Sequence, residues 1–242
     1  MKYYPVLLDI NMKNCLVVGG GKVGARKAAT LAEAGGVVTV VSPDFSNSFY
    51  RHPLNSYGNI KKIERSYQTS DLDTMFLVIC ATNHESTNIK VTADANTKGI
   101  LCNIADNPES SHFILPAIIN RGDLMITVST SGSSPAFAKK IKNELEQKFG
   151  KEYEFFLDLM GLIRKRLLNF SKTKEGMQSE LTQKQHAAIF RKLVNSDILN
   201  RIAENDESAV YTILKEILNG FPEEIYLNPD SGNIFSFSED CS

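Results

Sequence analysis

The chain has 242 residues, enough for one or two domains at the usual ~150 residues each. Hydrophobic residues make up 42% and charged residues 23%, which argues against disorder, collagen-like repeats and a coiled-coil rod. Lys+Arg 27 against Asp+Glu 28 leaves a net charge of -1, so no global field draws the chain to nucleic acid or to an anionic membrane.

The first residues, MKYYPVLLDIN, lack a basic segment followed by an apolar one. The longest apolar run, Met75 to Ala81, is far short of the ~20 residues that cross a bilayer. We therefore expect a cytoplasmic protein with neither nucleic acid nor membrane as partner. Cys15, Cys80, Cys102 and Cys241 have no CxxC spacing, and the first three lie in apolar strand-like segments, where cysteine acts as a small hydrophobe. Neither a disulfide framework nor a zinc site is expected.

Asn14 to Val18 is an apolar run that stops at three glycines. Lys22 to Ala34 then has helical spacing through Val23, Ala28, Leu31 and Ala32, and ends at Gly35-Gly36. Further strands are expected at Val37 to Val41, in IKKIERS, at Met75 to Cys80 and at Ile100 to Ile104, alternating with helix-patterned segments such as Glu85 to Lys98. Such alternation predicts a parallel sheet with helices on both faces, a Rossmann-type α/β domain over residues 1–112. Phe113 to Ile119 and Leu124 to Ser129, joined by Asn120-Arg121-Gly122-Asp123, read as a hairpin. Ser134 and Pro135 place an N-cap and an N1 proline before a helix that stops near Gly150. Residues 113–150 thus form a small hairpin-and-helix segment.

From 151 to 225 the chain reads as an all-helical C-terminal domain. Tyr153, Phe156, Met160, Ile163, Leu167 and Phe170 follow one helical face, with Phe155, Leu159 and Leu162 as a second stripe beside it. A face that wide calls for more than one neighbour, so a subunit contact is expected. Helices follow from Thr182 to Val194 and from Asp206 to Asn219, and residues 226–242 form a tail.

Gly19-Gly20-Gly21-Lys22-Val23-Gly24 is a GxGxxG between a predicted strand and a predicted helix, the setting that makes this pattern informative. Gly19 permits the turn, Gly21 admits a pyrophosphate to the backbone, and Gly24 lets the helix lie close to the strand. The N–H groups of the first helical turn, at Lys22 and Val23, then hold the diphosphate. The acid expected ~20 positions on is displaced into the loop after the second strand, so Ser42, Pro43 or Asp44 is expected at the adenosine ribose. No arginine waits there for a 2′-phosphate, which favours NAD over NADP. Thr82 and Asn83 end the fourth strand at the same sheet edge and are candidate cofactor neighbours, or helix caps.

Asp106 follows the fifth strand, where a carboxylate would face the nicotinamide; a turn-capping carboxylate is its plainer reading. Ser129-Thr130-Ser131-Gly132-Ser133-Ser134 is a hydroxyl-rich loop leading into a helix N-terminus, suited to carboxylates or simply to capping. His112 is read as a candidate for substrate contact or proton transfer, or as a hydrogen-bonded histidine beside a strand. His52, His84 and His186 are scattered, so no preformed metal site is expected.

Three stretches in order, CLVVGGGKVGARKAATLAEAG, ICATN with CNIAD, and FILPAIINRGDLMITVSTSGSSPAFAKKIKNELE, resemble the precorrin-2 dehydrogenase family, the dehydrogenase/ferrochelatase portion of siroheme synthases. The likeness covers roughly residues 1 to 150. It implies oxidation of precorrin-2 to sirohydrochlorin with NAD as hydride acceptor, by a homodimer whose hairpin and helical segments exchange contacts. Some members also insert ferrous iron (Fe2+) to give siroheme. The family's functional aspartate aligns with Asp106, and its hydroxyl loop with Ser129, Thr130 and Ser131. Thr130 stands where some members use serine. The methyltransferase portion of some siroheme synthases is not expected in this chain.

A tetrapyrrole rich in carboxylates needs donors, which the hydroxyl loop, the helix N-terminus, Arg121, Lys139 and Lys140 offer, and any iron would be held mainly by the macrocycle nitrogens. Two rivals stay open: a chelatase-only protein, and a non-catalytic NAD-sensing Rossmann module that would need neither Asp106 nor the hydroxyl loop.

Overall fold

The computed structural model describes residues 2–51, 57–105, 107–173 and 182–226. The chain divides into two compact units, Met1–Leu115 with Ser131–Ser133, and Pro116–Thr130 with Ser134–Ser242.

The first unit is built on a five-stranded sheet in the order β3-β2-β1-β4-β5, with β1 Asn14–Val18, β2 Val37–Ser42, β3 Ile60–Glu64, β4 Leu77–Cys80 and β5 Leu101–Ile104. All its pairings are parallel. Alternation along the strands decides which helix each residue meets, because successive side chains point to opposite faces. Cys15 and Val17 pack with Ala25, Ala28 and Leu31 of helix α1 (Lys22–Glu33). Leu16 and Val18 pack with Val91 and Ala95 of helix α2 (Glu85–Lys98). A sheet covered on both faces needs strands apolar on both faces, and all four residues of β4 are buried. The expected Rossmann-type domain is therefore present, with its ligand-binding edge at the carboxyl ends of β1, β2, β4 and β5.

The second unit begins with a hairpin of β6 (Ala117–Arg121) and β7 (Leu124–Val128), antiparallel, with Arg121 paired to Leu124. The loop is only Gly122-Asp123, and Gly122 takes φ +59°, as a two-residue loop with glycine first requires. The strand expected from Phe113 starts instead at Ala117. Pro116 has no N–H to give a ladder, and the Phe113 carbonyl accepts from the Asn103 side chain at 2.9 Å.

Helix α3 (Pro135–Lys148) is capped by Ser134, whose hydroxyl accepts from Phe137 N–H at 3.2 Å. Helices α4 (Glu152–Thr173), α5 (Gln183–Val194), α6 (Ile198–Ala203) and α7 (Glu207–Ile217) follow. Thr182 and Gln185 form a capping box at α5, and Asp206 caps α7 through Ala209 N–H at 3.0 Å. The core of this unit joins Leu159, Met160, Ile163 and Leu167 of α4 to Leu193, Ile198, Ile202, Val210 and Leu214. Leu168, off that stripe, is exposed. Both stripes of α4 are thus accounted for in part within the chain, Leu159 from one and Met160, Ile163 and Leu167 from the other.

Candidate active site

The glycine-rich turn at the end of β1 is defined by what cannot fit there. Gly19 takes φ +123° and its N–H bonds to Val41 O at 2.9 Å. A methyl at Gly19 would lie 2.5 Å from Ala81 O, and one at Gly24 would lie 2.0 Å from Gly19 O. The start of α1 is therefore pressed against the turn and the end of β4. Gly21 is the opposite case, with no atom within 4 Å of the position a methyl would take.

Gly21 is also the N-cap of α1, with no side-chain cap and no acid in the first turn. Uncapped N–H groups at the positive end of a helix dipole, beside open space over Gly21, suit a diphosphate. The residues present thus fit a dinucleotide, with Lys22 and Val23 in that first turn.

Gly20, in the variable position of the pattern, carries a constraint that sequence reasoning missed. A methyl there would lie 2.0 Å from Asp44 O and 2.8 Å from the Ser42 hydroxyl, and Gly20 O accepts from Ser46 N–H at 2.8 Å. The loop after β2 is thereby latched onto the glycine turn. Ser42 is buried, whereas Pro43 and Asp44 are exposed. Arg65, just after β3, makes a bidentate pair with Asp71. Burial works against the Asp71 carboxylate, but the Arg65 hydrogen bonds and the Gln68 N–H outweigh it and hold Asp71 below the usual carboxylate range.

At the end of β4, Ala81 N–H bonds to Val18 O at 2.8 Å. The Thr82 hydroxyl donates to Asn88 Oδ1 at 2.8 Å and accepts from His84 N–H at 3.2 Å. It thus serves the start of α2, and Asn83 beside it is exposed. Glycine turn, β2 loop and β4 end converge on one edge of the sheet.

Asp106 lies outside the described residues. Its neighbours are held: Ala105 N–H bonds to Cys80 O at 2.8 Å and Asn107 N–H to Ile104 O at 3.2 Å. The His112 ring uses both nitrogens, Nδ1 accepting from Cys102 N–H at 3.1 Å and Nε2 meeting Asn96 Oδ1 at 2.6 Å.

In the hydroxyl loop, Thr130 Oγ1 accepts from Ser134 N–H at 3.1 Å. Ser131 takes φ +54° and Gly132 φ +89°, and Ser129 and Ser131 each have bonding partners of their own. A non-glycine residue with positive φ is held there by its surroundings at a cost of order 1 kcal/mol. Arg121 caps α3, donating to Phe149 O at 2.9 Å. Lys140 lies 3.8 Å from Glu144 one turn along α3.

Cys15, Cys80 and Cys102 are buried free thiols. Burial pushes Cys15 up to about 11, and its hydrogen bond with Cys102 together with burial pushes Cys80 up. Cys15 and Cys80 therefore stay protonated and unreactive. Among the described residues no three His, Cys, Asp or Glu side chains gather as a metal site requires. His52 lies outside those residues, as does Cys241.

Residues 6–117 match the family model described as "Putative NAD(P)-binding", and residues 121–148 match that of "Sirohaem biosynthesis protein central". The chain is similar to siroheme synthases over most of its own length. It is 34% identical over 175 residues to siroheme synthase 2 of Pectobacterium atrosepticum, covering 71% of this chain and 38% of that protein. It is 30% identical over 220 residues to a siroheme synthase of Escherichia coli, covering 90% of this chain and 46% of that one. The chain therefore spans less than half the length of these relatives. Among solved structures, SirC, a precorrin-2 dehydrogenase, superposes with a TM-score of 0.69 at 22% identity, over 89% of this chain and 98% of that one, a likeness of fold. No helix among the described residues is long and apolar enough to cross a membrane.

Proposed function

We propose that this chain oxidises precorrin-2 to sirohydrochlorin with NAD. The observation that carries the reading is the open, uncapped cradle at Gly21 in a chain similar to siroheme synthases. Removing two hydrogens from the reduced macrocycle releases one as hydride and one as a proton. NAD, when bound, supplies the hydride acceptor.

The chain's own residues do the rest. The N–H groups of Lys22 and Val23 hold the diphosphate against Gly19, Gly21 and Gly24. Ser42, Pro43 and Asp44 take the adenosine ribose, and with no arginine at the end of β2 to receive a 2′-phosphate NAD is preferred to NADP. Thr82 and Asn83 border the nicotinamide. Asp106, as an anion, accepts the proton leaving the ring carbon. Ser129, Thr130 and Ser131, with the N-terminus of α3, hold substrate carboxylates; Thr130 still has its hydroxyl proton to donate. We extend the proposal to ferrous iron as a second substrate, bound by the macrocycle nitrogens, to a homodimer using residues 113–150, and to a cytoplasmic location.

Purified protein supplied with precorrin-2 and NAD should form sirohydrochlorin, more efficiently with NAD than with NADP. Added ferrous iron should carry the product on to siroheme. Protein that binds NAD yet leaves precorrin-2 unchanged would refute the reading.

A further inference from the structure

β5 is the edge of the parallel sheet, and an open edge exposes unpaired N–H and C=O groups that must find partners. Among the described residues no sixth strand supplies them. Cys102 and Ile104 turn their backbone groups outward, and the loop that follows β5 meets each one. Cys102 N–H goes to His112 Nδ1 at 3.1 Å, and Cys102 O accepts from His112 N–H at 2.8 Å. Ile104 N–H goes to the Ser111 hydroxyl at 2.9 Å, and Ile104 O accepts from Asn107 N–H at 3.2 Å.

The Ser111 hydroxyl also donates to Asn107 O at 2.7 Å. Asn103, on the strand itself, donates to Phe113 O at 2.9 Å. Because His112 Nδ1 accepts a backbone N–H, the proton of the neutral ring sits on Nε2, which faces Asn96 Oδ1 of α2 at 2.6 Å. One imidazole thus ties the returning chain to the strand and to the helix that covers it.

We propose that His112 is a positioning residue. As a neutral ring protonated on Nε2, it fixes residues 107–113, the stretch that directly follows Asp106 in sequence, against β5 and α2. The inference rests on the reading of Asp106 as proton acceptor. It gives His112 a task that neither substrate contact nor proton transfer requires, since both ring nitrogens are committed. Ser111 acts in the same way through Ile104.

His112→Leu keeps bulk but loses both bonds. His112→Asn puts a carboxamide oxygen near the place of Nδ1 and so restores the bond to Cys102 N–H. Misplacing a catalytic group by about 1 Å costs on the order of 100-fold in rate without touching binding. We therefore expect His112→Leu to lower kcat by ~10- to 100-fold, with KM for precorrin-2 and the Kd for NAD within about twofold. His112→Asn should recover most of that loss.

Should the leucine variant fail to fold, Ser111→Ala, which deletes the hydroxyl's bonds to Ile104 and Asn107 and adds no bulk, must show the same loss confined to kcat. A leucine variant with kcat within about twofold of the parent, an asparagine variant no better than it, or a loss that appears in KM instead would overturn the inference. Asp106→Asn is measured beside them. If it keeps turnover, the proton-acceptor reading fails and takes this inference with it. If it abolishes turnover while His112→Leu keeps kcat within about twofold of the parent, only the role of His112 falls.

Discussion

The two loops that carry the proposed chemistry are held by opposite means. In the glycine turn, position comes from missing atoms: methyls at Gly19, Gly20 and Gly24 would each strike backbone oxygen, so backbones touch and amides are left uncovered. In the hydroxyl loop, position comes from atoms present: Thr130 Oγ1 and Ser134 Oγ take the N–H groups of Ser134 and Phe137. The first is damaged by adding a carbon, the second by removing an oxygen. A loop that must admit a diphosphate gains from bare backbone; one that must grip carboxylates gains from side-chain donors.

The largest effect should come from Gly24→Ala, which sets a methyl 2.0 Å from Gly19 O. Both ends of that contact lie in packed backbone, so we expect at least ~3 kcal/mol of destabilisation and loss of NAD binding, read by thermal melting and titration. Gly20→Ala meets Asp44 O in an exposed loop that can yield. Its expected signature is a Kd for NAD raised about tenfold, roughly 1.4 kcal/mol, with a smaller fall in Tm.

Gly21→Ala sharpens the contrast most. Nothing lies near its new methyl and its extended φ of -77° suits alanine, so stability should stay within ~0.5 kcal/mol while NAD affinity falls. Equal losses in both would show the space over Gly21 to be structural. In the other loop, Thr130→Val should cost about 1 kcal/mol by orphaning Ser134 N–H, and Thr130→Ser should restore it.

The smallest effect is outside both loops. Asp71 is held below the ordinary carboxylate range by Arg65, so its contribution is present above the unfolded value of about 3.9 and fades as pH falls through the lower folded one. Asp71→Asn should flatten the acid limb of a Tm-against-pH curve, and an unchanged limb would show that this pair adds nothing.

The sheet and its glycine turn were legible because both are written locally: apolar strands, helix-spaced alanines and glycines stand next to one another in sequence. The caps at Ser134 and Thr182 could be read for the same reason. Gly20 could not, since its constraint comes from Asp44 across the fold. The six-residue α6 is too short to show a helical period. Phe113 to Pro116 looks like strand by composition, yet Asn103 diverts it. Arg121 reads as a free donor, and His112 as a substrate contact, a base or a hydrogen-bonded histidine without a stated partner, until the backbone groups they satisfy are seen. Residues that serve distant backbone leave no pattern of their own.

The most direct measurement is stoichiometry: the wild-type protein, excess NAD and a limiting amount of precorrin-2, with NADH and sirohydrochlorin followed together. The account predicts one NADH for each sirohydrochlorin, and none of either from Gly24→Ala. Sirohydrochlorin formed without NADH, or a chain that binds NAD and produces neither, would contradict it.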